Sequence, residues 1–339
     1  MIDVALAPRV AQETLLEVRD LAVEFPHPGG PVRPVRGASF TLAPRQRLGL
    51  VGESGSGKSL TALSLMRLLP PPGRIAAGQV MLRGLDLAQL SEREMARVRG
   101  GRLALIGQDP MSSLNPVHSV GEQIVEAIRA HERVSPRVAR ERAVDLLGQV
   151  GLPNPARRFD SYPHQFSGGM RQRVMIAMAI SANPDVLIAD EPTTALDVTT
   201  QARIIDLLSG LVEEREMAVI LITHDLGLAA SFCDDIQVMY AGRIVERSRP
   251  SALFAQPLHP YTEALLNAIC RLDFDVDEPI AAIPGQPPLP QSLPSGCPFH
   301  PRCPLAVARC ASDEPASHVF PDGRLAECHF AEQRAGAPA

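Results

Sequence analysis

The spacing of apolar residues along the chain predicts strands that alternate with helices. Short apolar runs, which are typical of buried strands, occupy four segments: residues 48–51, 103–106, 186–189 and 218–222. Apolar residues recur at helical spacing in four further segments: residues 60–69, 120–128, 138–150 and 174–180. Such alternation indicates an α/β fold whose parallel sheet is covered by helices on both faces.

Other parts of the chain depart from this alternation. Residues 16–25 alternate loosely between apolar and polar, and residues 38–42 form another strand candidate, so the N-terminal part is predicted to be rich in β-structure. Residues 110–165 are predicted to form a helical insert with proline-punctuated connections. After a predicted helix at 261–269, the six prolines of residues 278–296 exclude regular structure and predict a linker or an extended wrap.

Composition and charge narrow the class of protein. With 339 residues, 45% of them hydrophobic and 21% charged, the chain can bury a large core and a smaller appendage. Its net charge of −5 disfavours a nucleic-acid partner, and none is expected. No apolar run, including the uncharged residues 174–184, approaches the roughly 20 residues that span a bilayer. The opening residues lack the features of a secretory signal, so we expect a cytosolic chain.

A glycine-rich segment follows the strand predicted at 48–51. It fits the pattern G-x-x-x-x-G-K-[ST] and consists of Gly52, Glu53, Ser54, Gly55, Ser56, Gly57, Lys58 and Ser59. Glycines let backbone N–H groups point at a β-phosphate, and the following helix, from Leu60, adds partial positive charge. Lys58 is expected to reach the β- and γ-phosphates and Ser59 to ligate Mg²⁺. The segment predicts a nucleotide-binding loop, which kinases, GTPases and motor proteins also contain.

Two polar segments beyond this loop are suited to nucleotide chemistry. Gln108 ends the strand predicted at 103–106, where its amide could contact both the Mg²⁺ ligands and a mobile subdomain; a solvated glutamine is the alternative. Ser167, Gly168 and Gly169 open a helix, where they could bind an anion or form an ordinary helix cap. Neither segment decides the function alone.

Two further candidates follow apolar strands. The strand at 186–189 delivers adjacent carboxylates, Asp190 and Glu191, which are unfavourable there unless they face a cation or perform chemistry. We therefore predict that Asp190 belongs to the Mg²⁺ shell and that Glu191 polarises the attacking water. His224 follows another strand and is predicted to contact the γ-phosphate, although a strand-end histidine is more often structural.

In their order and spacing, these motifs resemble those of the ATP-binding cassette (ABC) family of transport ATPases. The implied motifs are Walker A at 52–59, the Q-loop at Gln108, the signature at 166–170, Walker B at 186–191, the D-loop at 195–197 and the H-loop at His224. The resemblance implies an α/β fold with a mixed RecA-like core and an N-terminal antiparallel β subdomain. It also implies a helical subdomain at about 109–182 and a small cysteine-containing C-terminal extension.

The family resemblance also assigns roles that the residues alone do not. It implies that Phe25 stacks on adenine and that Asp197 of the D-loop lies at the nucleotide site. The signature reads FSGGM rather than the commoner LSGGQ, and Gly107 replaces a usual apolar residue. The serine and both glycines are present, so the resemblance still implies an anion-binding signature, with the departure at Met170.

ABC ATPases of this kind act as dimers, which the resemblance therefore implies here. Ser167 of one cassette would close over the ATP bound to Walker A of the other, and hydrolysis would release the pair. Two rival classes are a soluble ABC ATPase without a permease and a P-loop kinase. The chain lacks the long coiled-coil insertion or second cassette usual in the first class, and the second class has no need of Ser167.

Longer segments resemble the oligopeptide/dipeptide-importer branch of the family. They are residues 108–116, 162–173, 258–262 and 296–304. This likeness implies two integral-membrane permeases, a second ABC ATPase subunit and an extracytoplasmic solute-binding protein as partners, with the chain peripheral at the cytoplasmic face of the inner membrane. The implied cargo is di- or oligopeptides, with glutathione or a nickel chelate as alternatives.

By the same likeness, the chain divides into three parts. They are an ATPase domain at 14–255, a helix and proline-rich linker at 256–296, and a four-cysteine module at 297–330.

Four of the six cysteines lie in that last module. Cys297, Cys303, Cys310 and Cys328 are spaced C-x5-C-x6-C-x17-C, unlike a zinc ribbon, and a reducing compartment disfavours disulfides. A four-thiolate site suits an iron–sulfur cluster or Zn²⁺. The branch resemblance implies a [4Fe–4S] cluster, with zinc or free thiols as alternatives. Cys233 and Cys270 are predicted to be small buried hydrophobic residues.

Overall fold

The computed structural model describes residues 14–194, 196–268 and 283–336. Strands and helices alternate along most of this length. The strands are β1 Leu16–Phe25, β2 Val32–Leu42, β3 Arg47–Val51, β4 Arg74–Leu82, β5 Leu85–Asp86, β6 Leu103–Ile106, β7 Val186–Asp190, β8 Ala218–Thr223, β9 Asp235–Tyr240, β10 Arg243–Ser248, β11 His318–Val319 and β12 Leu325–Ala326. The helices are α1 Lys58–Leu65, α2 Glu92–Val98, α3 Pro110–Ser113, α4 Val120–His131, α5 Pro136–Gln149, α6 Pro155–Arg158, α7 Gly168–Ala179, α8 Val198–Arg215, α9 Leu226–Phe232, α10 Pro250–Ala255, α11 Pro260–Asn267, α12 Ala308–Ser312 and α13 Ala331–Gly336.

The larger sheet carries the phosphate loop and the paired carboxylates. Its order is β11-β12-β10-β9-β3-β8-β7-β6, and the strands from β9 to β6 pair in parallel. Strands β10, β12 and β11 add antiparallel pairs at one side. The sheet is therefore mixed, as the family resemblance implies, and β3, β7 and β8 all end at the same edge.

Both faces of this sheet are covered, as the apolar runs predict. Val219 and Leu221 of β8 belong to one buried cluster, whereas Ile220 and Ile222 belong to another on the opposite face. Helices α4, α5, α7, α8 and α9 contribute to the first cluster. The second contains residues of α1 and of the N-terminal strands. Burial on both sides explains why these strands are apolar without alternation.

The N-terminal sheet is antiparallel and has the order β2-β1-β4-β5. Strand β1 coincides with the prediction at 16–25, while β2 begins at Val32, six residues before the predicted 38–42. Strand β4 was not predicted, because its first half is exposed and lacks an apolar–polar alternation.

The helical insert packs around α4, α5 and α7. Ser119 and Ser135 cap α4 and α5 by accepting bonds from Glu122 N and Val138 N. Helix α1 ends at Leu65, earlier than the predicted residue 69, and Arg67 then takes a left-handed conformation (φ 50°). Within the described ranges, no helix is both long and apolar enough to cross a membrane.

The C-terminal residues fold back onto the core around the larger sheet. Residues 283–296 form neither helix nor strand, as their prolines predict, while 278–282 lie outside the described residues. Three buried aromatic rings join the C-terminal residues to the larger sheet. The ring centroid of Tyr240, in β9, lies 4.5 Å from that of Tyr261 and 5.3 Å from that of Phe299. The helix predicted at 261–269 corresponds to α11, which ends at Asn267, while residue 269 lies outside the described residues.

Candidate nucleotide-binding site

The phosphate loop lies between β3 and α1, where the sequence predicts it. Gly52 (φ 154°) and Gly57 (φ 109°) have positive φ, and an added Cβ would lie 2.2 Å from Met239 O and 2.6 Å from Pro34 O, respectively. Only glycine fits this close backbone approach. Ser54, Gly55 and Ser59 are exposed at the loop surface, while Leu60 is half-buried in α1. The Ser56 hydroxyl is buried without a hydrogen-bond partner among the described residues.

Lys58 is buried beneath the loop. Its Nζ donates hydrogen bonds to Gly52 O (2.7 Å) and Glu53 O (3.0 Å). Burial lowers the pKa of Lys58, and the charges of Glu191, Asp190 and Glu53 oppose that shift. The amine is thus held at the loop in an environment rich in acceptors, which suits a group that binds phosphate.

Ser59 and Asp190 meet at the end of the loop. Ser59 Oγ donates to Asp190 Oδ1 at 3.2 Å. Burial raises the pKa of Asp190; the bond from Ser59 and the charge of Lys58 lower it, and Glu191 raises it further. A hydroxyl and a carboxylate are ligands that Mg²⁺ accepts, and this ion usually takes its other ligands from water and substrate phosphates. The two residues therefore fit a Mg²⁺ site that the nucleotide completes.

The other predicted site residues Gln108 and His224 both lie next to the carboxylate of Glu191. Its Oε2 accepts hydrogen bonds from Gln108 Nε2 (3.0 Å) and Thr194 Oγ1 (2.9 Å), and its Oε1 lies 3.4 Å from His224 Nδ1. Its backbone has φ 48°, an uncommon conformation for a glutamate. Thr194 was not predicted from the sequence; its one signal there is its place three residues after Glu191, in the turn that follows β7.

The serine–glycine segment begins α7 beside the start of α8. Ser167 caps α7 by accepting a bond from Met170 N at 3.4 Å. An added Cβ on Gly169 would lie 2.5 Å from Thr200 Cγ2, so the two helix starts are closely packed. Asp197 caps α8, and its bonds from Thr200 lower its pKa. Gly168 faces Leu196, while Ala195 lies outside the described residues.

Comparison with known proteins decides between the nucleotide-binding families. A family model described as "ABC transporter" matches residues 35–194, and one described as "Oligopeptide/dipeptide transporter, C-terminal region" matches residues 245–310. The dipeptide transport ATP-binding protein DppD of Escherichia coli (strain K12) is 49% identical over 324 residues, which are 96% of this chain and 99% of DppD. The chain belongs to the ABC transporter family.

Other relatives of this ABC ATPase carry peptide-transport names. The oligopeptide transport ATP-binding protein OppD of Salmonella typhimurium is 50% identical over 322 residues, 95% of each chain. A solved dimeric structure, titled as a post-hydrolysis state of the ATP-binding cassette MJ0796 bound to ADP and Pi, matches with a TM-score of 0.62 and 25% identity. It covers 69% of this chain and 98% of that one. The chain is therefore an ATP-hydrolysing cassette with the α/β fold of the family.

Phe25 has a packing role in this ABC ATPase. The ring of Phe25 is half-buried against the second buried cluster, which contains residues of α1 and the N-terminal strands. Its Cε1 and Cζ lie 2.6 Å from the position of a Cβ added to Gly73. This contact explains an aromatic residue at the end of β1 by packing alone. Adenine stacking by Phe25 stays a prediction.

The cysteines of the C-terminal module give no structural support for a metal site. In the part of the chain that the structure describes, no group of three or more His, Cys, Asp or Glu side chains could hold a metal ion. Burial raises the pKa of Cys297 (to about 11), Cys303 and Cys328. The expected iron–sulfur or zinc site at these residues and Cys310 is therefore unsupported.

Iron, sulfide and zinc analysis of the purified chain tests the remaining family-based expectation of a cluster. Outside the module, Cys233 is buried as predicted, whereas Cys270 lies outside the described residues.

Proposed function

We propose that this chain is the ATP-binding and ATP-hydrolysing subunit of a membrane importer for di- or oligopeptides. The observation that carries the ATPase part is the Glu191 carboxylate, held by Gln108 and Thr194 beside the Ser59–Asp190 pair. The peptide part is supported by the likeness to DppD and OppD over nearly the whole chain. The division into parts at 14–255, 256–296 and 297–330 belongs to the proposal.

The residues of the site divide the work of phosphate cleavage. The backbone of 52–57 and the Lys58 amine bind the β- and γ-phosphates. Ser59, Asp190 and Gln108 are the candidates to hold Mg²⁺, which neutralises phosphate charge when bound. Glu191 accepts a proton from the attacking water as the oxygen of that water bonds to the γ-phosphorus. The bond between the γ-phosphorus and the β–γ bridging oxygen then breaks, and ADP leaves. His224, beside Glu191, contacts the γ-phosphate edge.

A second cassette completes each site in the proposed assembly. Ser167, Gly168 and Asp197 are exposed at the starts of α7 and α8, where they are available to a nucleotide on a facing cassette. The second cassette is either another copy or a paralogue. Two integral-membrane permeases and an extracytoplasmic solute-binding protein complete the importer, with this chain at the cytoplasmic face of the inner membrane.

Transport in reconstituted vesicles tests the proposal. The chain is combined with its permeases and second cassette, and ATP-dependent uptake is measured for peptides, glutathione and nickel chelates. We expect uptake of peptides that stops when Glu191→Gln replaces the wild-type chain. Uptake of only glutathione or only a nickel chelate would show that the proposed peptide cargo is wrong. Full ATPase activity of the chain in the absence of any membrane partner would favour a permease-free ATPase.

A further inference from the structure

One buried arginine of the C-terminal module contacts the phosphate loop. Arg302 lies 249 positions after Glu53, yet its Nη1 donates to Glu53 Oε2 at 2.7 Å and its Nη2 to Oε1 at 2.9 Å. The side chain of Arg302 is only 5% exposed and that of Glu53 23% exposed. This two-bond geometry fixes the orientation of both groups, unlike a single contact between mobile side chains.

Other contacts keep the Arg302 guanidinium in place. Its Nε donates to Pro284 O at 2.8 Å, and its Nη1 also lies 3.3 Å from the Tyr240 hydroxyl. The group lies 5.9 Å from the ring centroids of Tyr240 and Phe299. The Glu53 carboxylate raises the pKa of Arg302, so the arginine stays charged. The proline-rich segment and the aromatic cluster therefore present a rigid cation to the loop.

A second contact reaches the loop from α11. The backbone N–H of Glu53 donates to the hydroxyl of the buried Tyr261 at 2.8 Å. Both the side chain and the backbone N–H of Glu53 are thus fixed from outside the loop, and its carbonyl accepts the bond from Lys58. A continuous line of hydrogen bonds joins Arg302 and Tyr261, through Glu53, to the lysine that is proposed to bind phosphate.

We propose that Arg302 and Tyr261 are positioning residues that hold the phosphate loop in its nucleotide-binding conformation. The loop contains three glycines in six residues, 52–57, and would lose conformational freedom on binding if it were free. Contacts that fix it beforehand reduce this entropic penalty. The C-terminal module is thereby part of the nucleotide site, an inference that rests on the proposed ATP binding at this loop.

Conservative variants of the ion pair test the inference. We expect Arg302→Lys, which cannot form the same two-bond fork, and Glu53→Gln to raise the Kd of the full chain for Mg-ATP by about 5- to 150-fold, the usual range of coupling between sites. Tyr261→Phe is expected to raise it less. In the reconstituted transporter, KM for ATP should rise while kcat at saturating ATP is retained, because positioning affects ground state and transition state alike.

A second arginine–glutamate pair with two hydrogen bonds supplies the matched control. Arg243 donates to Glu327 through Nε (2.6 Å) and Nη2 (2.9 Å), and this pair also joins the C-terminal module to the core, at β10. Arg243→Lys and Glu327→Gln should leave the Kd unchanged. The double variant Glu53→Gln/Arg302→Lys should lose no more affinity than the weaker-binding single variant, because both changes break one interaction.

Three outcomes separate the proposals. Wild-type Kd in Arg302→Lys and Glu53→Gln would overturn the positioning role, as would equal losses in the Arg243 and Glu327 controls, which would indicate general module docking. If Arg302→Lys is unstable, Glu53→Gln alone decides. Failure of the wild-type chain to bind Mg-ATP, with Lys58→Ala behaving identically, would instead refute the proposed function.

Discussion

Glu191 combines an unusual backbone conformation with three polar neighbours. Its carboxylate is shared among Gln108, Thr194 and His224, which orients both oxygens. A group so oriented is suited to accept a proton from a water held at one place. The test must therefore remove the basic carboxylate of Glu191 while keeping the size of the side chain.

We predict that Glu191→Gln lowers ATP hydrolysis by about 10²–10⁴-fold, the usual contribution of a positioned base, and leaves ATP binding intact. The amide keeps the shape of the side chain but accepts protons poorly. Steady-state phosphate release and equilibrium nucleotide binding measure the two effects. Thr194→Val serves as a control that leaves the carboxylate in place and should have a smaller effect. Undiminished turnover in Glu191→Gln would remove this residue from proton transfer.

Asp190 illustrates a conflict between binding and stability. Burial raises the pKa of Asp190 in the folded chain above its value in the unfolded chain, so protonation of this carboxyl stabilises the fold. This stabilisation is complete at a pH below the pKa of the unfolded chain and is lost as the pH rises through the pKa of the folded chain. We predict that Asp190→Asn raises the Tm of the nucleotide-free chain at neutral pH, by about 1–2 °C for each kcal/mol gained. The same change should abolish the Mg²⁺ dependence of ATP binding.

Thermal unfolding over a pH series checks this prediction, since the gain should vanish at low pH. Asp197→Asn is the control, because hydrogen bonds from Thr200 lower the pKa of Asp197 and the expected change has the opposite sign. A Tm for Asp190→Asn below that of the wild type at neutral pH would contradict the argument.

Sequence patterns locate most residues at the site but not their supports. Lys58, Asp190 and Glu191 can be located in the sequence because Lys58 follows the buried strand β3 at a motif spacing, and the two carboxylates stand at the end of the buried strand β7. The contacts of Glu53 with Tyr261 and Arg302 join residues more than 200 positions apart. No sequence periodicity relates such distant positions, so these contacts can be identified only in the folded structure.

At the scale of elements, α4 shows how packing overrides helix propensity. Gly121 lies in the first turn of α4, and an added Cβ would be 2.2 Å from Phe159 Cγ. By contrast, Gly210 in α8 has nothing within 4 Å of the same position. The two glycines therefore respond to alanine in opposite directions.

We predict that Gly121→Ala lowers the free energy of unfolding by about 1–3 kcal/mol, because the methyl group overpacks the helical insert. Gly210→Ala is expected to raise it by about 0.5–1 kcal/mol through helix propensity. Urea unfolding of the full chain measures both values. Equal stabilisation by the two substitutions would show that Phe159 moves aside without penalty.

Element boundaries were predictable where burial enforces a pattern. Strand β6 spans the predicted 103–106, and α4 begins at the predicted residue 120, because both lie against the central core. Strands β9 and β10 were not predicted. Their residues include buried polar side chains, such as Gln237 and Glu246, which disrupt the apolar run.

At the scale of the whole molecule, the α/β class follows from the alternation of apolar segments, but the docking of the C-terminal module does not. Glu246 in β10 is buried and accepts bonds from Leu258 N (2.7 Å) and His259 N (2.8 Å). This carboxylate anchors the chain as it leaves the cassette, and burial raises its pKa. Length and composition predict a smaller appendage to the core, and the contacts of Leu258 and His259 tie the segment that leads to it to the main sheet.

The pairing of β12 with β10 has a consequence for shortened versions of the chain. Without β11 and β12, the N–H and C=O groups around Glu246 and Arg247 would form an open strand edge, which invites pairing with another molecule. We predict that a chain ending at residue 296 self-associates, as measured by light scattering during size-exclusion chromatography, whereas full-length Arg243→Lys does not. The small tail would thus protect the ATPase from aggregation.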